Sequence, residues 1–346
     1  MHPTLSTPEV ETANSATIAR PRVYIHRMGP WYHLYMNAAS EAALRSFADV
    51  VSDGPGEAEL TSEQLVQRLR GCSAILSLGG GGSHEITAEV LKAAGTVKLI
   101  CIAHWCEQLA GAAAEAGITV TEGSNANTVA VAEWTLAAAL MGIRKLHVFD
   151  RAMKSGSPWG EPRRSVGMLC GSKVGIVGLG RVGAYCARYF AMLGAEVIAH
   201  DPYWTQDRAD SLGVTLVPLE ELMKTADVIS LHLPVTSETR GMLGAGHFEW
   251  IKDGAIFINS ARAALYDESA LLAELRKKRF AAFLDVFAEE PLRDDHPFRT
   301  MENVTITPHL AGDNAAMFLR CGAEAIETLR DWSAGKGLRN LRYKTP

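Results

Sequence analysis

The sequence predicts an α/β protein with two doubly wound parallel sheets. Short apolar runs alternate with helical patterns over residues 22–121 and again over residues 173–307, and strands that alternate with helices form parallel sheets covered on both faces. The length of 346 residues corresponds to about two domains of ~150 residues each. A polar stretch with two prolines, residues 154–164, separates the two alternating regions.

The first alternating region predicts four strands, at residues 22–26, 73–78, 97–103 and 118–121. It also predicts four helices, at residues 40–47, 62–69, 85–94 and 107–116. A long apolar helix follows at residues 127–146.

The second alternating region predicts six strands, at residues 173–177, 196–199, 228–233, 255–258, 281–284 and 304–307. Six is the number of strands in a complete dinucleotide-binding sheet. A last helix is predicted from Asp313 to about Trp332, and a basic tail follows it.

Composition excludes several classes of protein. Hydrophobic residues make up 47% and charged residues 21% of the chain, which is typical of a globular protein rather than a disordered or disulfide-scaffolded one. The net charge of −5 gives no reason to expect nucleic acid or an anionic membrane as the main partner. The longest apolar stretch, residues 129–143, is interrupted by Glu133 and is shorter than the about 20 residues of a membrane span.

The cysteines and the N-terminal residues both indicate the compartment of the protein. None of the six cysteines forms a CxxC pair, and several lie in apolar runs, as buried free thiols do. Residues 1–21 have no apolar signal-peptide core, so we expect a mobile tail there. Both observations predict a cytoplasmic protein, and no metal site is expected.

A glycine motif predicts a dinucleotide site. Gly178, Gly180 and Gly183 follow a predicted strand and open a helix, in the spacing GxGxxG. The first glycine allows a tight turn, the second lets the backbone approach a pyrophosphate, and the third lets helix and strand pack closely. The helix N-terminus then offers free N–H groups to the phosphates.

Asp201 ends the next predicted strand, 18 residues after Gly183. Its carboxylate can accept hydrogen bonds from both ribose hydroxyls and would repel a 2′-phosphate, so the motif favours NAD over NADP. The alternative interpretation of Asp201 is a turn cap before Pro202.

Five motifs in order carry a resemblance to a known family. They are residues 127–136 (NTVAVAEWTL), 230–241 (SLHLPVTSETRG), 259–262 (NSAR) followed by 265–267 (LYD), 284–291 (LDVFAEEP) and 307–312 (TPHLAG). Over residues 126–312 the chain resembles the NAD-dependent D-2-hydroxyacid dehydrogenases. The resemblance implies a Rossmann dinucleotide-binding domain and a flavodoxin-like substrate domain.

The resemblance implies a catalytic trio of Arg262, Glu290 and His309. His309 would exchange the proton of the substrate hydroxyl, and Glu290 would stabilise its imidazolium form. Arg262 would hold the substrate carboxylate with a two-pronged donor. Taken alone, each of these residues has an ordinary alternative, a loop histidine or a solvated surface charge.

The same resemblance implies the cofactor contacts. Asp285 would accept a bond from the nicotinamide carboxamide. The remaining NAD-binding residues implied are Arg181, Val182, His232, Leu233, Pro234, Thr239, Ser260, Ala261 and Gly312, together with the three glycines and Asp201.

The sequence departs from the family at two loops expected near the substrate. Residues 104–107 (HWCE) replace the usual Gly-x-Gly loop, and residues 79–83 (GGGGS) form the other loop. The four glycines, Gly80 and Gly81 among them, could form an N–H nest for an anion or a flexible spacer. Trp105 is either a pocket wall or a buried core residue. The substrate is therefore not taken from the family.

The leading functional hypothesis is an NAD-dependent dehydrogenase acting on a small D-2-hydroxy acid, working as a 2-oxo acid reductase. The alternative is a binding protein that senses NADH, as the C-terminal-binding-protein corepressors of similar fold do. A third hypothesis, with formate or phosphite as hydride donor, needs a specialised anion pocket that is not evident.

The resemblance also sets the domain boundaries and the expected assembly. We expect a mobile tail at residues 1–21, a discontinuous substrate domain at residues 22–126 and 313–346, and the NAD-binding domain at residues 127–312. The helix at residues 127–146 is apolar on more than one face, which predicts either burial between the domains or a homodimer interface, and the family favours the homodimer.

Overall fold

The computed structural model of the protein describes residues 20–26, 32–53, 56, 59–157, 166–338 and 340–343. Residues 1–19 of the expected tail and residues 158–164 of the polar stretch lie outside the described residues. The last two residues of the expected tail, Arg20 and Pro21, are held by Asp49, so the prediction of a mobile tail is corrected at these two positions. Arg20 forms an ion pair with Asp49 at 2.6 Å, and the buried Pro21 accepts a backbone hydrogen bond from Asp49.

The described residues contain strands β1 (Arg22–His26), β2 (Asp49–Ser52), β3 (Ala74–Leu78), β4 (Leu99–Ala103), β5 (Thr119–Gly123), β6 (Lys173–Val177), β7 (Glu196–His200), β8 (Thr215–Leu216), β9 (Val228–Leu231), β10 (Ile256–Asn259), β11 (Ala281–Leu284), β12 (Val304–Ile306) and β13 (Leu341–Tyr343). The α-helices are α1 (Tyr32–Tyr35), α2 (Ala38–Arg45), α3 (Ser62–Leu69), α4 (Ala88–Ala94), α5 (Glu107–Glu115), α6 (Asn125–Arg144), α7 (Leu146–Lys154), α8 (Arg181–Met192), α9 (Gln206–Asp210), α10 (Leu219–Thr225), α11 (Ala245–Trp250), α12 (Glu268–Arg276) and α13 (Ala315–Ser333).

The chain divides into two compact units. The first unit contains the described residues up to Asn127 and those from Asn314 onward, and the second unit is Thr128–Asp313. Each unit contains one sheet flanked by helices, so the predicted α/β class is confirmed.

The sheet of the first unit has the order β13-β5-β4-β3-β1-β2. Its strands are parallel except for β13, which pairs antiparallel with β5 at the edge. The central strands β3 and β4 are entirely buried, as expected for strands covered on both faces. The sequence patterns did not predict β2, in which only Val50 and Val51 are apolar, or β13, which has three residues.

The sheet of the second unit has the order β12-β11-β10-β9-β6-β7-β8, and all its strands are parallel. The six predicted strands are present, and a two-residue strand, β8, extends the edge beside β7. Because β6 lies between β7 and β9, the strand order reverses there. In sheets of this kind, ligands bind outside the carboxyl ends of the strands at that reversal.

Helix α6 covers most of the helix predicted at residues 127–146, beginning and ending two residues earlier. By length and composition alone its 20 residues could cross a membrane, and half of its most apolar segment is buried by the rest of the chain. A helix in the core of a globular protein passes the same test of length and composition. Gly142 on α6 lies so close to Ile256 and Phe283 that an added Cβ would approach both within 3 Å, which shows close packing of α6 against the second sheet.

Replacing Gly322 by alanine should destabilise the first unit. An added Cβ there would overlap the backbone carbonyl of Tyr35, and such overpacking costs about 1–3 kcal/mol. Gly111→Ala in α5 is the matched control, because nothing lies within 4 Å of its added Cβ and alanine stabilises a helix by roughly 0.5–1 kcal/mol. Thermal unfolding should show a lower midpoint only for Gly322→Ala; equal midpoints would refute the close α1–α13 contact.

Candidate active site

Most of the predicted site residues follow strands of the second sheet. Because these strands are parallel, their carboxyl ends lie along one edge. The residues that follow them are Gly178 after β6, Asp201 after β7, His232 after β9, Arg262 after β10, Asp285 and Glu290 after β11, and His309 after β12. The trio expected from the resemblance therefore comes from three neighbouring strands, β10 to β12.

The glycine turn after β6 has the shape that a dinucleotide needs. Gly178 adopts φ 95°, and an added Cβ would lie 2.9 Å from the carbonyl oxygen of His232. At Gly183 an added Cβ would overlap the carbonyl of Gly178. At Gly180, by contrast, an added Cβ would lie 4.0 Å from the nearest atom of the described residues outside its own helix and chain neighbours, the carbonyl oxygen of His232. Helix α8 begins there without a side-chain cap. These residues fit a pyrophosphate against the helix N-terminus.

Asp201 fastens the glycine turn to the end of β7. Its Oδ2 accepts the backbone N–H of Leu179 at 2.8 Å, and its Oδ1 accepts that of Tyr203 at 2.9 Å. Asp201 is therefore a turn cap, as the alternative interpretation held. A carboxylate has about four acceptor positions, so capacity for two ribose hydroxyls is left and that contact stays a prediction.

The loop after β9 is braced against the glycine turn. The N–H of His232 donates to Val177, and its Nε2 lies 2.9 Å from the Ser230 hydroxyl. Burial lowers the pKa of His232 to about 3, so the ring is neutral. Thr239 closes the loop by donating to the carbonyl of Pro234 at 2.6 Å.

Asn259 shapes the loop that carries Arg262. The Asn259 side chain is completely buried; its Nδ2 donates to the carbonyl of Arg262 and its Oδ1 accepts the N–H of Ala261, both at 2.9 Å. The exposed Arg262 guanidinium donates to the Ala261 carbonyl at 2.6 Å. Ser260 is buried, with its hydroxyl 3.4 Å from that of Thr135. The sequence reading missed the role of Asn259, although a polar residue ending an apolar strand was a usable sign.

Glu290 and His309 form a close pair. Nδ1 of His309 donates to Oε2 of Glu290 at 2.6 Å, and Oε1 accepts the backbone N–H of Phe287 at 2.9 Å. Burial raises the pKa of the Glu290 carboxyl, but the bonds from His309 and Phe287 and the charge of Arg262 outweigh it, so the pKa is lowered overall. The ionised carboxylate only accepts, so the proton is assigned to Nδ1 and Nε2 remains for a ligand.

A cavity of about 670 Å³ adjoins this pair within the second unit. Its walls are mostly apolar and include Phe287, Leu292 and Ile306, and Glu290, His309 and Arg299 also line it. The pair therefore has room beside it for a small molecule.

Asp285 has different partners from those expected. It is completely buried, and its carboxylate accepts three hydrogen bonds from the turn that carries His309: from the Thr307 hydroxyl at 2.5 Å, from Leu310 N–H at 2.9 Å and from Ala311 N–H at 2.8 Å. Two of these donors are backbone N–H groups and one is a side-chain hydroxyl. A carboxylate has about four acceptor positions, so the expected contact with the nicotinamide carboxamide stays a prediction.

The glycine run of the first unit, residues 79–82, forms a tight turn. Gly79, Gly80 and Gly82 all adopt positive φ, between 65° and 75°, and Ser83 N–H donates to the carbonyl of Gly80. A Cβ at Gly80 would overlap the Cys106 side chain. Both alternatives for this loop, an anion nest that includes Gly81 and a flexible spacer, stay predictions.

Trp105 follows the end of β4 and is 43% exposed, so the buried-core alternative is wrong and the pocket-wall role stays a prediction. Within the described ranges, the side chains of His, Cys, Asp and Glu form no group of three or more that could hold a metal ion.

Comparisons with known proteins agree with this arrangement. Residues 136–311, about half of the chain, match the family model described as "D-isomer specific 2-hydroxyacid dehydrogenase, NAD binding domain". The chain is 35% identical over 285 residues to a D-3-phosphoglycerate dehydrogenase of Archaeoglobus fulgidus, a match covering 81% of this chain and 53% of that protein. It is 35% identical to a glyoxylate reductase of Aeropyrum pernix, covering 65% of this chain and 69% of that protein.

A solved structure gives the same answer for the fold. A phosphoglycerate oxidoreductase from Rhizobium etli superposes with a TM-score of 0.80 at 26% identity, covering 93% of this chain and 98% of that one. The chain spans about half the length of the phosphoglycerate dehydrogenases it matches.

Fold and site together define an α/β protein with a dinucleotide-binding unit and a histidine–carboxylate pair at its carboxyl edge. The chain belongs to the D-isomer specific 2-hydroxyacid dehydrogenase family, and residues 136–311 are its NAD binding domain.

Asp201→Ala should reduce the preference for NADH over NADPH. The change removes the negative charge expected to repel a 2′-phosphate. The dissociation constant for NADPH divided by that for NADH should therefore fall by about tenfold, or ~1.4 kcal/mol. Quenching of protein fluorescence during titration measures both constants. Asp207→Ala removes the same charge from an exposed position on α9 and should leave the ratio unchanged; an unchanged ratio in Asp201→Ala would refute the ribose contact.

Proposed function

We propose that the protein is an NAD-dependent dehydrogenase that transfers a hydride between nicotinamide and C2 of a small D-2-hydroxy acid or 2-oxo acid. The observation that carries the proposal is the 2.6 Å bond between His309 and Glu290, at the carboxyl edge of the NAD binding domain. A histidine held by a carboxylate is the arrangement that a reversible proton transfer at an alcohol needs.

When NADH is bound, it supplies the hydride that adds to C2 of a 2-oxo acid. His309 gives a proton from Nε2 to the carbonyl oxygen, which becomes the hydroxyl. The nearby Glu290 carboxylate stabilises the imidazolium before that transfer and holds the ring through Nδ1. Arg262 binds the substrate carboxylate and draws electron density from the adjacent carbonyl. In the oxidative direction, His309 takes the proton back.

The substrate class is supported by the chemistry of the trio rather than by any single relative. One cation for a carboxylate and one acid–base group for a carbonyl match the two functional groups of every 2-oxo acid. The relatives are named for phosphoglycerate and for glyoxylate, so the class rather than one acid is proposed here.

Loss of His309 should remove turnover and leave cofactor binding. Oxidation of NADH is followed by absorbance with a panel of 2-oxo acids that includes glyoxylate. General acid catalysis contributes about 10²–10⁴-fold, so kcat of His309→Ala should fall by that factor while the dissociation constant for NADH stays within twofold of the parent value. Glu290→Gln should also lower kcat strongly, whereas its exposed neighbour Glu289→Gln is the matched control and should not.

Two outcomes of these measurements would contradict the proposal. Tight NADH binding without turnover of any 2-oxo acid would contradict the enzyme and favour a protein that senses NADH. A His309→Ala protein that reduces glyoxylate as fast as the parent would contradict the proton-donor role.

We further propose a homodimer in the cytoplasm. The apolar residues of α6 that suggested an interface, Trp134 and Leu140 among them, remain partly exposed, and on α7 Leu146 is 61% and Met153 47% exposed. Neighbouring apolar side chains in contact with water mark association surfaces. All six cysteines are free thiols, which fits a reducing compartment.

Light scattering at micromolar concentration should give about twice the chain mass of 37.4 kDa. Leu146→Glu places a charge on the exposed apolar face of α7 and should shift the mass toward that of one chain. A parent protein that is monomeric in this measurement contradicts the dimer.

A further inference from the structure

His309 lies in a backbone conformation that it would not adopt unaided. Its φ is 54°, in the left-handed region that residues with a Cβ avoid. Its N–H donates to the carbonyl of Thr307 at 3.0 Å, so the chain folds back sharply at this residue. The surrounding structure must therefore hold the turn, because the direction of the imidazole depends on it.

The carboxylate of Asp285 provides that hold. Its three donors are spaced around His309: Thr307 lies two residues before the histidine, and Leu310 and Ala311 follow it directly. Asp285 is itself anchored at the end of β11, where its N–H donates to the carbonyl of Asn259 at 3.0 Å. The turn is thus fastened on both sides of His309 to one buried group.

Asp285 and Glu290 differ in exposure and in their partners. Asp285 is 0% exposed and Glu290, five residues later, has a side chain that is 36% exposed. Of the two carboxylates, Glu290 is the one that is hydrogen-bonded to the imidazole. Asp285 acts on His309 through the backbone of the turn. The hydroxyl of Thr307 is the side-chain donor that fastens this turn to Asp285.

We propose that Asp285 and Thr307 are positioning residues, which hold the turn of His309 in its left-handed conformation so that Nδ1 meets Glu290 and Nε2 is presented to the substrate. This proposal rests on the proposed function for its effect on turnover, but the geometry of the turn can be measured without turnover.

Thr307→Val removes the hydroxyl and keeps the shape of the side chain. Because hydrogen bonds to charged groups are strong, we expect kcat to fall by about tenfold to hundredfold, with the dissociation constant for NADH and KM for NADH within twofold of the parent values. Thr307→Ser keeps the hydroxyl and should restore kcat to within about threefold. Thr305→Val lies in the same strand, β12, and is the matched control, because Thr305 is not a partner of Asp285.

A second variant pair tests the route of the effect. In a His309→Ala background, Thr307→Val should lower the residual rate no further, because residues that act through one group are not additive. A further tenfold fall there, or a weaker affinity for NADH with kcat unchanged, would overturn the proposal and place Thr307 at the cofactor instead.

The NMR signal of the His309 Nδ1 proton in the bond to Glu290 gives a readout that does not need a substrate. The signal should be present in the parent and in Thr307→Ser, and broadened or absent in Thr307→Val. If it is unchanged in Thr307→Val, the positioning role is wrong even when kcat falls. If no 2-oxo acid is turned over, the proposed function fails while this measurement still decides the positioning role. Should Thr307→Val not fold, Thr307→Ala replaces it in every arm.

Discussion

The parallel register of the second sheet is the constraint on which the candidate site depends. Leu284 at the end of β11 pairs with Asn259 on β10 and with Ile306 on β12, so the three strands end level with one another. Neighbouring strands are about 4.8 Å apart, and the loops that follow β10, β11 and β12 therefore begin within roughly 10 Å. Arg262, Glu290 and His309 are distant in sequence, and no local interaction could bring them together.

Polar side chains at the strand ends, buried at Asn259 and Asp285 and partly buried at Asp201, hold the loops that leave this edge of the sheet. Asn259 binds the backbone of the Arg262 loop, Asp285 binds the turn of His309, and Asp201 binds Leu179 in the glycine turn. In each case a side chain at a strand end accepts hydrogen bonds from N–H groups of a loop. Without these bonds the loop would have no support where it leaves the sheet. Removing one such partner leaves a buried polar group unsatisfied, at a cost of about 1–3 kcal/mol. The loops of the site are held by the sheet rather than by their own sequence.

Because long-range contacts with the sheet hold the loops, the sequence predicts the strands better than it predicts the contacts of the site. The central strands of both sheets were predicted because they are apolar runs of four or five residues between helical patterns. Strands β8 and β13 have two and three residues, too few to show a period. The pairing of His309 with Glu290 followed from the resemblance, whereas the partners of Asp285 lie 22 to 26 residues further along the chain and no local pattern indicates them. The turn geometry of the glycine run at residues 79–82 depends on packing against Cys106, which no local pattern indicates.

Two carboxylates on one loop therefore do different work because their surroundings differ. Asp285 is buried and accepts three hydrogen bonds from the turn, one from the Thr307 hydroxyl and two from backbone N–H groups, so it serves as an anchor. Glu290 is partly exposed; burial opposes its ionisation, yet the bonds from His309 and Phe287 lower its pKa overall and keep it negative beside the imidazole. Environment rather than residue type assigns the roles of paired acids. Since the anchor fixes the turn and the exposed acid fixes the ring, the position of His309 Nε2 is set twice, once through the backbone and once through the side chain.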